Sequence, residues 1–571
     1  MNATRTIDPV TMQVVGNYLS TATNEVEIAM IRSAYSPVIK EGFDCSAGIV
    51  DGASEYWSQA DAIPLQTAVL ASVHRGMLES YREPLQPGDV LFTNDPWSGC
   101  PHLNDFVSAA PVFADGEIIA YVCTLMHQTD VGGMSAGSMP ADATEIYQEG
   151  IRVPVSRLFS EGRFNEGLLR VILANSRVPA SFRGDLSAQI AATRLGIRRI
   201  EEALARFGKE RFLAHVRAYL DYCERRVHAR LATLREGTYV VQRYVDNADY
   251  SQRAQGLVIE ARVTVGGGRV DVDFSGSSPQ VARPINVVLS NGMAASMVAL
   301  RCILGAGIPM NAGLQRVLTV RCVEGSIMNP RLPAPVGARA LVAALAFDCV
   351  LEALGQADPA QASATSSGGT TMPYVWTPAP ERGAATRILV DNSLTGGTGA
   401  LAQGDGMNAV DNTVTNAMNY PAEMIEQEYP MMIERHELRI DSGGPGQYRG
   451  GLGLRRVIRF LRDGKLALRG HRHQYPPAGM SGGGDGAASR FTLLRDGIPI
   501  PASPQASSIM TQAGDVLIAE TPGGGGFGDL RARARSAIER DLELGYISAE
   551  RAATVYGYTQ VIAAPEPVSG D

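Results

Sequence analysis

The chain has 571 residues, 45% hydrophobic and 19% charged, with a formal net charge of −8. That length exceeds one hydrophobic core and predicts roughly two to four domains. The charge gives no general attraction to nucleic-acid phosphates or anionic membranes, so neither is an expected partner.

Glycine, at 61 residues, is clustered, which points to tight turns and Gly-rich loops rather than a collagen-like or disordered chain. Seven widely spaced cysteines without a CxxC pair read as reduced thiols. The opening MNATRTIDPVTMQVV contains no apolar signal core. The most apolar window, ALVAALAFDCVLEAL, carries Asp348 and Glu352 and is too short to cross a bilayer. The expectation is a soluble cytoplasmic protein.

In chain order, Asp8 and Pro9 form an N-cap and first helical position, followed by apolar residues at helical spacing. AGIVD reads as a short strand, LQTAVLASVHRGMLESY as a helix, and PGDVLFTNDPW as turn, strand and loop. FVSAAPVF and IIAYVCTLMH are strand-like runs joined by ADGE, a strong hairpin signal. Two charged amphipathic helices follow over 187–235, then β-branched runs from 237. Helical interludes are predicted at 291–304 and 338–356, antiparallel sheet with Gly-rich turns beyond 430, and a closing helix, LRARARSAIERDLELG, before a Pro-rich tail.

The predicted fold class is α+β. A mixed α/β metal-binding domain spans 1–186, a helical segment 187–236, a β-rich Gly-rich domain 237–530, and a C-terminal helix and tail 531–571.

Within CPHLNDF and LMHQTDVGG, an HxxD pattern occurs twice, as His102/Asp105 and His127/Asp130, in a chain with only eight histidines. A two-residue turn at Asp115-Gly116 would set Asp105 against Met126, Asn104 against His127 and His102 against Thr129. The two histidines then become diagonal neighbours with Cβ atoms about 7–8 Å apart, within reach of one ion. In regular strands Asp105 and Asp130 point to the opposite face. One of them joins the histidines only if a strand departs from regularity, as Pro101 and Gly132-Gly133 would allow. Two histidines with carboxylate oxygens suit Zn²⁺ or Mn²⁺. The competing reading is a pair of His–Asp hydrogen bonds buttressing a sheet end.

FTNDPWSGCPHLNDFVSAAPVF and MHQTDVGGMSAGSMPADATEIYQEGIRVP resemble the hydantoinase B/oxoprolinase family. Further matches are GDLSAQIAA, RPINVVLSNGMAASMVALR, DSGGPGQYRGGLGLRR, PGGGGFGD and LELGYISAERAATVYG. The resemblance implies the B subunit of an ATP-dependent enzyme that opens a hydantoin, 5-oxoproline or lactam using a metal-bound water. A separate hydantoinase A-like subunit would bind ATP and phosphorylate the substrate, giving a hetero-oligomer. It implies Asp44, His102, Asp105 and His127 as metal ligands, with Asp130 orienting an imidazole or acting as general base. Asp95 either shapes the same pocket or serves the loop turn. Cys100 stands where the family often has Gly or Thr, and is expected to pack. The alternatives are an ATP-dependent ketone carboxylase component, which chain length disfavours, and a non-catalytic scaffold with a structural metal.

Other motifs are discounted. GxGxxG from Gly523 to Gly528 lacks a βαβ unit and reads as a close-packed turn. SSGGTT and TGGTGALAQGDG lack the P-loop lysine, in keeping with ATP on the partner. HRH at 471–473 reads as a solvent-facing or hydrogen-bonded edge, and His74 and His215 as helix packing or surface residues. Covalent serine nucleophile chemistry is not expected.

Overall fold

The computed structural model describes residues 7–61, 63–246, 256–368, 374–379, 386–391, 394–411 and 413–559. Asp8 caps the first helix, Pro9–Ser33, by accepting from the N–H groups of Val10 and Thr11, with Pro9 at the first helical position.

The N-terminal sheet is built from β1 (Cys45–Val50), β2 (Tyr56–Gln59), β3 (Val90–Thr93), β4 (Asp105–Ala114), β5 (Glu117–His127), β6 (Ser156–Ser160) and β7 (Arg163–Phe164). Its order is β2-β1-β5-β4-β3-β6-β7, and every pairing is antiparallel. The central strands read as near-continuous apolar runs because both faces are covered. Val107, Ala109, Cys123 and Leu125 share a core with helices Pro64–Ser80 and Ala340–Ala357. Phe106, Ala110, Val112 and Val122 lie against the other side, with helix Pro179–Phe207. That helix continues through position 186, where the sequence predicts a domain limit.

The β4–β5 hairpin turns at Asp115 and Gly116, both with positive φ (52° and 80°), as a two-residue hairpin turn requires. The predicted register holds only at its tip, where Ala114 faces Glu117 and Phe113 faces Ile118. Val112 then faces Ala120, leaving Ile119 as an extra residue, and the shift persists to the open end. This bulge corrects the expected pairing: Asp105 lies opposite His127, not Met126.

Over 237–530 the described residues form three sheets. β8 (Gly237–Val245), β9 (Leu257–Gly266), β10 (Arg269–Asp273) and β11 (Leu318–Arg321) run in the order β11-β10-β9-β8, with β10–β11 parallel. Helix Ala340–Ala357 packs into the same core as this sheet. At 18 residues it is long and apolar enough to span a bilayer by length and composition alone, which corrects the expectation of a segment too short, but 78% of it is buried inside the protein as a core helix. Two antiparallel sheets follow. One contains Tyr374–Pro378, Leu389–Asp391, Gly464–Arg469 and Gln505–Thr511; the other contains Met431–Leu438, Leu454–Phe460, Arg490–Arg495, Ile498–Ile500 and Val516–Glu520. Tyr374, Trp376 and Leu466 from the first meet Ile458, Phe460 and Leu517 from the second in one core.

Gly523–Gly526, within the GxGxxG match, lie backbone to backbone with other Gly-rich segments, in line with a structural reading. Gly524 donates to Gly451 O (2.9 Å), Gly451 to Thr398 O (2.8 Å) and Gly444 to Gly524 O (2.8 Å). A Cβ on Gly524 would stand 1.9 Å from Thr398 O. Close approach, rather than a left-handed backbone, therefore demands glycine here.

Three expectations are corrected. The single closing helix is two, Arg535–Glu543 and Ala549–Tyr556, and helix Glu166–Asn175 is an element the sequence pattern does not announce. Of the two readings of HRH the solvent-facing one is overturned and the hydrogen-bonded one holds: His471 and Arg472 are buried, and Arg472 pairs with Asp348 at 2.5 Å. The tail after Tyr558 lies mostly outside the described residues, as does part of SSGGTT.

Candidate metal centre

Three buried side chains converge at the open end of the β4–β5 hairpin. His127, the last residue of β5, and Asp105, the first of β4, face each other directly. His102 enters from the preceding loop, which Asn94 and Asn104 pin down. Asn94 Nδ2 donates to Leu103 O at 2.6 Å, and Asn104 Nδ2 to Gln128 O at 2.8 Å.

His102 Nε2 and His127 Nδ1 stand 3.2 Å apart. Asp105 Oδ1 is 3.1 Å from His127 Nδ1 and 3.3 Å from His102 Nε2. Asp44 Oδ2 flanks them at 3.7 Å from His127 Nδ1. A tetrahedral ion with ligand distances of about 2.0–2.1 Å holds its ligand atoms about 3.3–3.4 Å apart. The three short separations match that spacing. A proton serves the cluster less well, because the one hydrogen His127 Nδ1 can carry would face three acceptors.

Each carboxylate uses its second oxygen outside the cluster. Asp105 Oδ2 accepts from Arg339 Nη2 at 2.8 Å, and Asp44 Oδ1 accepts from Gln66 Nε2 at 2.5 Å. Asp44 is set by the backbone: His127 N donates to Asp44 O at 3.1 Å, and the residue before it, Phe43, is held at φ 59°. A bulky residue in that region is strained, and such strain clusters at functional sites.

The protonation states of His102 and Asp105 also suit a cation. Burial pushes the His102 imidazole down to about 3, keeping it neutral. Burial works upward on Asp105, yet His102 and Arg339 hold its carboxyl well below the usual range. Without an ion, Asp44 and His127 compete for a proton: burial raises Asp44, while Asp44 and Asp105 raise His127 against its burial. Neutral imidazole and ionised carboxylate are the forms that bind metal. The arrangement departs from the usual pattern in one respect: His102 Nδ1 and His127 Nε2 are buried without a hydrogen-bond partner.

The centre opens on a narrow cleft of about 70 Å³ lined by Asp44, His127, Gln66, Arg339, Met139 and Arg469, among others. The family model for hydantoinase B/oxoprolinase matches residues 8–530. The chain belongs to that family. It is 33% identical over 542 residues to an uncharacterized protein of Methanocaldococcus jannaschii, covering 94% of this chain and 92% of that one. It is 30% identical over 581 residues to the B subunit of a putative D-/L-hydantoinase from a Pseudomonas species, covering 97% and 95%. The crystal structure of the ATP-dependent caprolactamase from Pseudomonas jessenii superposes with a TM-score of 0.90 at 27% identity, covering 99% of both chains.

Of the residues that the family pattern singles out, Asp130 stands apart from the cluster. Its carboxylate accepts from Gly132 N and Gly137 N at 3.1 Å, and from Arg177 N and Nη1 at 2.8 and 2.9 Å. It locks the loop after β5 and makes no hydrogen bond to either imidazole among the described residues, in contrast to the orienting role expected. Asp95 serves its turn, accepting from Trp97 N at 3.1 Å. Cys100 is fully buried in the main core, and burial raises its thiol well above the ordinary range, as packing predicts. His74 bonds Ser54 Oγ at 2.8 Å within a buried helix face, and His215 bonds Arg211 O at 2.7 Å. Sequence reasoning missed Gln66, Asn94, Asn104, Arg339 and Arg469. The available signal for Arg339 was a lone arginine at the head of the most apolar helix, in VGARALVA.

Proposed function

We propose that this chain is the hydrolytic B subunit of an ATP-dependent enzyme that opens a hydantoin, 5-oxoproline or lactam. The exocyclic carbonyl oxygen of the cyclic amide would first be phosphorylated by a separate A-type subunit in a hetero-oligomer. The observation that carries this reading is the meeting of His102 Nε2, His127 Nδ1 and Asp105 Oδ1 within 3.1–3.3 Å, beside Asp44 and at the edge of a cleft. With Asp44, these residues would hold Zn²⁺ or Mn²⁺. Such an ion supplies Lewis acidity and a hydroxide-like nucleophile from water near neutral pH.

The chain's own residues do the rest. Phosphorylation of the exocyclic carbonyl oxygen would remove amide resonance; water then adds to that carbon, the ring C–N bond breaks with the nitrogen taking up a proton, and a second water releases orthophosphate from the resulting acyl phosphate. Arg339 and Gln66 fix the outer carboxylate oxygens, so Asp105 and Asp44 meet the reaction already oriented. Burial of His102 and Asp105 keeps bulk water from competing for them. Asp130 acts at a distance, by holding the loop after β5. ATP is assigned to the partner because the chain has no Walker A sequence.

The test is co-purification with a hydantoinase A-like subunit, elemental analysis, and an ATP-dependent screen of hydantoins, 5-oxoproline, lactams and ketones, with and without bicarbonate. Ring opening that is lost together with bound metal in Asp44→Ala and His127→Ala supports the proposal. Full turnover by a metal-free His127→Ala protein overturns it. Bicarbonate-dependent carboxylation of a ketone would assign the carboxylase reading instead. Metal removal that lowers stability but not activity per folded complex would assign a scaffold.

A further inference from the structure

Arg469 ends the strand Gly464–Arg469 and projects into the cleft that also exposes Asp44, His127 and Arg339. It is 2% exposed, yet Nε, Nη1 and Nη2 all lack a hydrogen-bond partner. A guanidinium carries five donors in a fixed fork, and leaving it buried and unpaired is costly. Burial lowers its pKa only to about 10, so it stays cationic at neutral pH.

The nearest acids do not neutralise it. Asp142 and Glu149 act on it through space, but neither comes within ion-pair distance among the described residues. The oxygens of Glu149 are taken by Val336 N and Gly337 N at 3.1 and 2.7 Å, and burial pushes its carboxyl up to about 8. Asp142 accepts from Ser507 Oγ.

The same cleft wall contains the N-terminus of the 18-residue helix Ala340–Ala357. Residues Gly337 to Leu341 line the cleft there. The helix dipole favours anions at this end, although Leu341 N and Val342 N already donate to Ala338 O and Arg339 O at 3.2 and 3.1 Å. Arg339, at its cap, gives one nitrogen to Asp105 while its Nε stays unpartnered.

We infer that Arg469, facing the head of helix Ala340–Ala357, forms a receptor for the phosphoryl oxygens of an activated substrate, seating the ester beside the metal centre. This rests on the proposed function and adds to it the group by which the substrate is gripped. The planar fork of arginine matches two phosphoryl oxygens at once, which a lysine ammonium cannot do. The cleft then selects the phosphorylated substrate over its unactivated precursor.

The full-length chain, stripped of metal with a chelator, is titrated calorimetrically with orthophosphate, phenyl phosphate and acetate. Stripping the metal separates this test from that of the proposed function: an absent metal leaves anion binding intact, and absent anion binding leaves ring opening and metal content intact. Saturable binding of phenyl phosphate is expected, weakened roughly 10-fold or more in Arg469→Met, as for loss of hydrogen bonds to a charged group. Arg469→Lys, whose melting temperature reports folding, should retain part of the affinity. Unchanged phenyl phosphate affinity in a folded Arg469→Met or Arg469→Lys protein overturns the inference. So does acetate binding as tightly as phosphate, which would make the site a carboxylate receptor. Binding of orthophosphate but not phenyl phosphate overturns the substrate assignment in favour of a site for released phosphate.

Discussion

Arg339 and Gln66 each hold the outer oxygen of a cluster carboxylate, and neither lies near the HxxD motifs in sequence. Loss of such an orienting partner typically costs about 10–100-fold in metal affinity. Arg339→Leu should therefore weaken metal binding by that order in a chelator competition while the protein stays folded; unchanged affinity would show that Asp105 needs no partner. A second residue-scale prediction concerns Glu27. Burial, assisted by Asp61, pushes its carboxyl up to about 7, so the folded protein holds a proton that the unfolded chain releases from about pH 4.5. Folding stability should fall as pH rises from about 5 to 7 and level off above. Glu27→Gln should flatten that slope, read from melting temperatures at successive pH values; an identical slope in the variant contradicts the assignment. At this scale the site was half legible. His102 and His127 announced themselves by residue type and spacing; Asp105, which regular strands would turn away, and Asp44 came only through the family resemblance, whereas Arg339 and Arg469, on distant segments, acquire meaning only when the fold brings them to the cleft.

The hairpin shows what periodicity reads and where it fails. Asp115-Gly116 encodes its turn, and both residues adopt the required left-handed backbone. The bulge at Ile119 has no comparable signature, because an apolar run such as EIIAYVC looks the same with or without an extra residue. That single residue decides which side chains share a face, since a one-residue slip moves a strand's whole set across the sheet. It brings Asp105 level with His127. The Gly-rich segments were legible as packing but not as to their partners. Gly267→Ala, at φ 58° with open space around it, should cost about 1–2 kcal/mol from backbone strain alone. Gly524→Ala places a methyl 1.9 Å from Thr398 O, with little room for the neighbouring backbone to give. Its melting temperature should drop further than that of Gly267→Ala; equal shifts would argue against a close-packed glycine core.

Across the whole molecule, the cleft depends on regions far apart in sequence: the N-terminal sheet supplies the His–Asp cluster, helix Ala340–Ala357 its head, and the strand Gly464–Arg469 its arginine. The buried Asp348–Arg472 pair ties that helix to the segment following Arg469. Removing one partner of such a pair costs about 3–5 kcal/mol, because the other charge stays buried, whereas replacing both with apolar residues is often neutral. Asp348→Ala should be strongly destabilised in denaturant unfolding and Asp348→Leu/Arg472→Met much less so. Equal losses in both proteins would mean the pair adds nothing as a unit. The order of helices and strands was readable from composition and turn residues; the joining of three regions around one cleft was not, because no local pattern records long-range contact. The central claim is that two imidazoles and adjoining carboxylates hold one divalent ion. Anomalous diffraction at the zinc and manganese edges, from crystals of the metal-reconstituted protein, tests it most directly. A single peak about 2.0–2.2 Å from His102 Nε2, His127 Nδ1 and Asp105 Oδ1, with Asp44 drawn in, is predicted. Rings and carboxylates linked only by hydrogen bonds, with no anomalous peak between them, would contradict it.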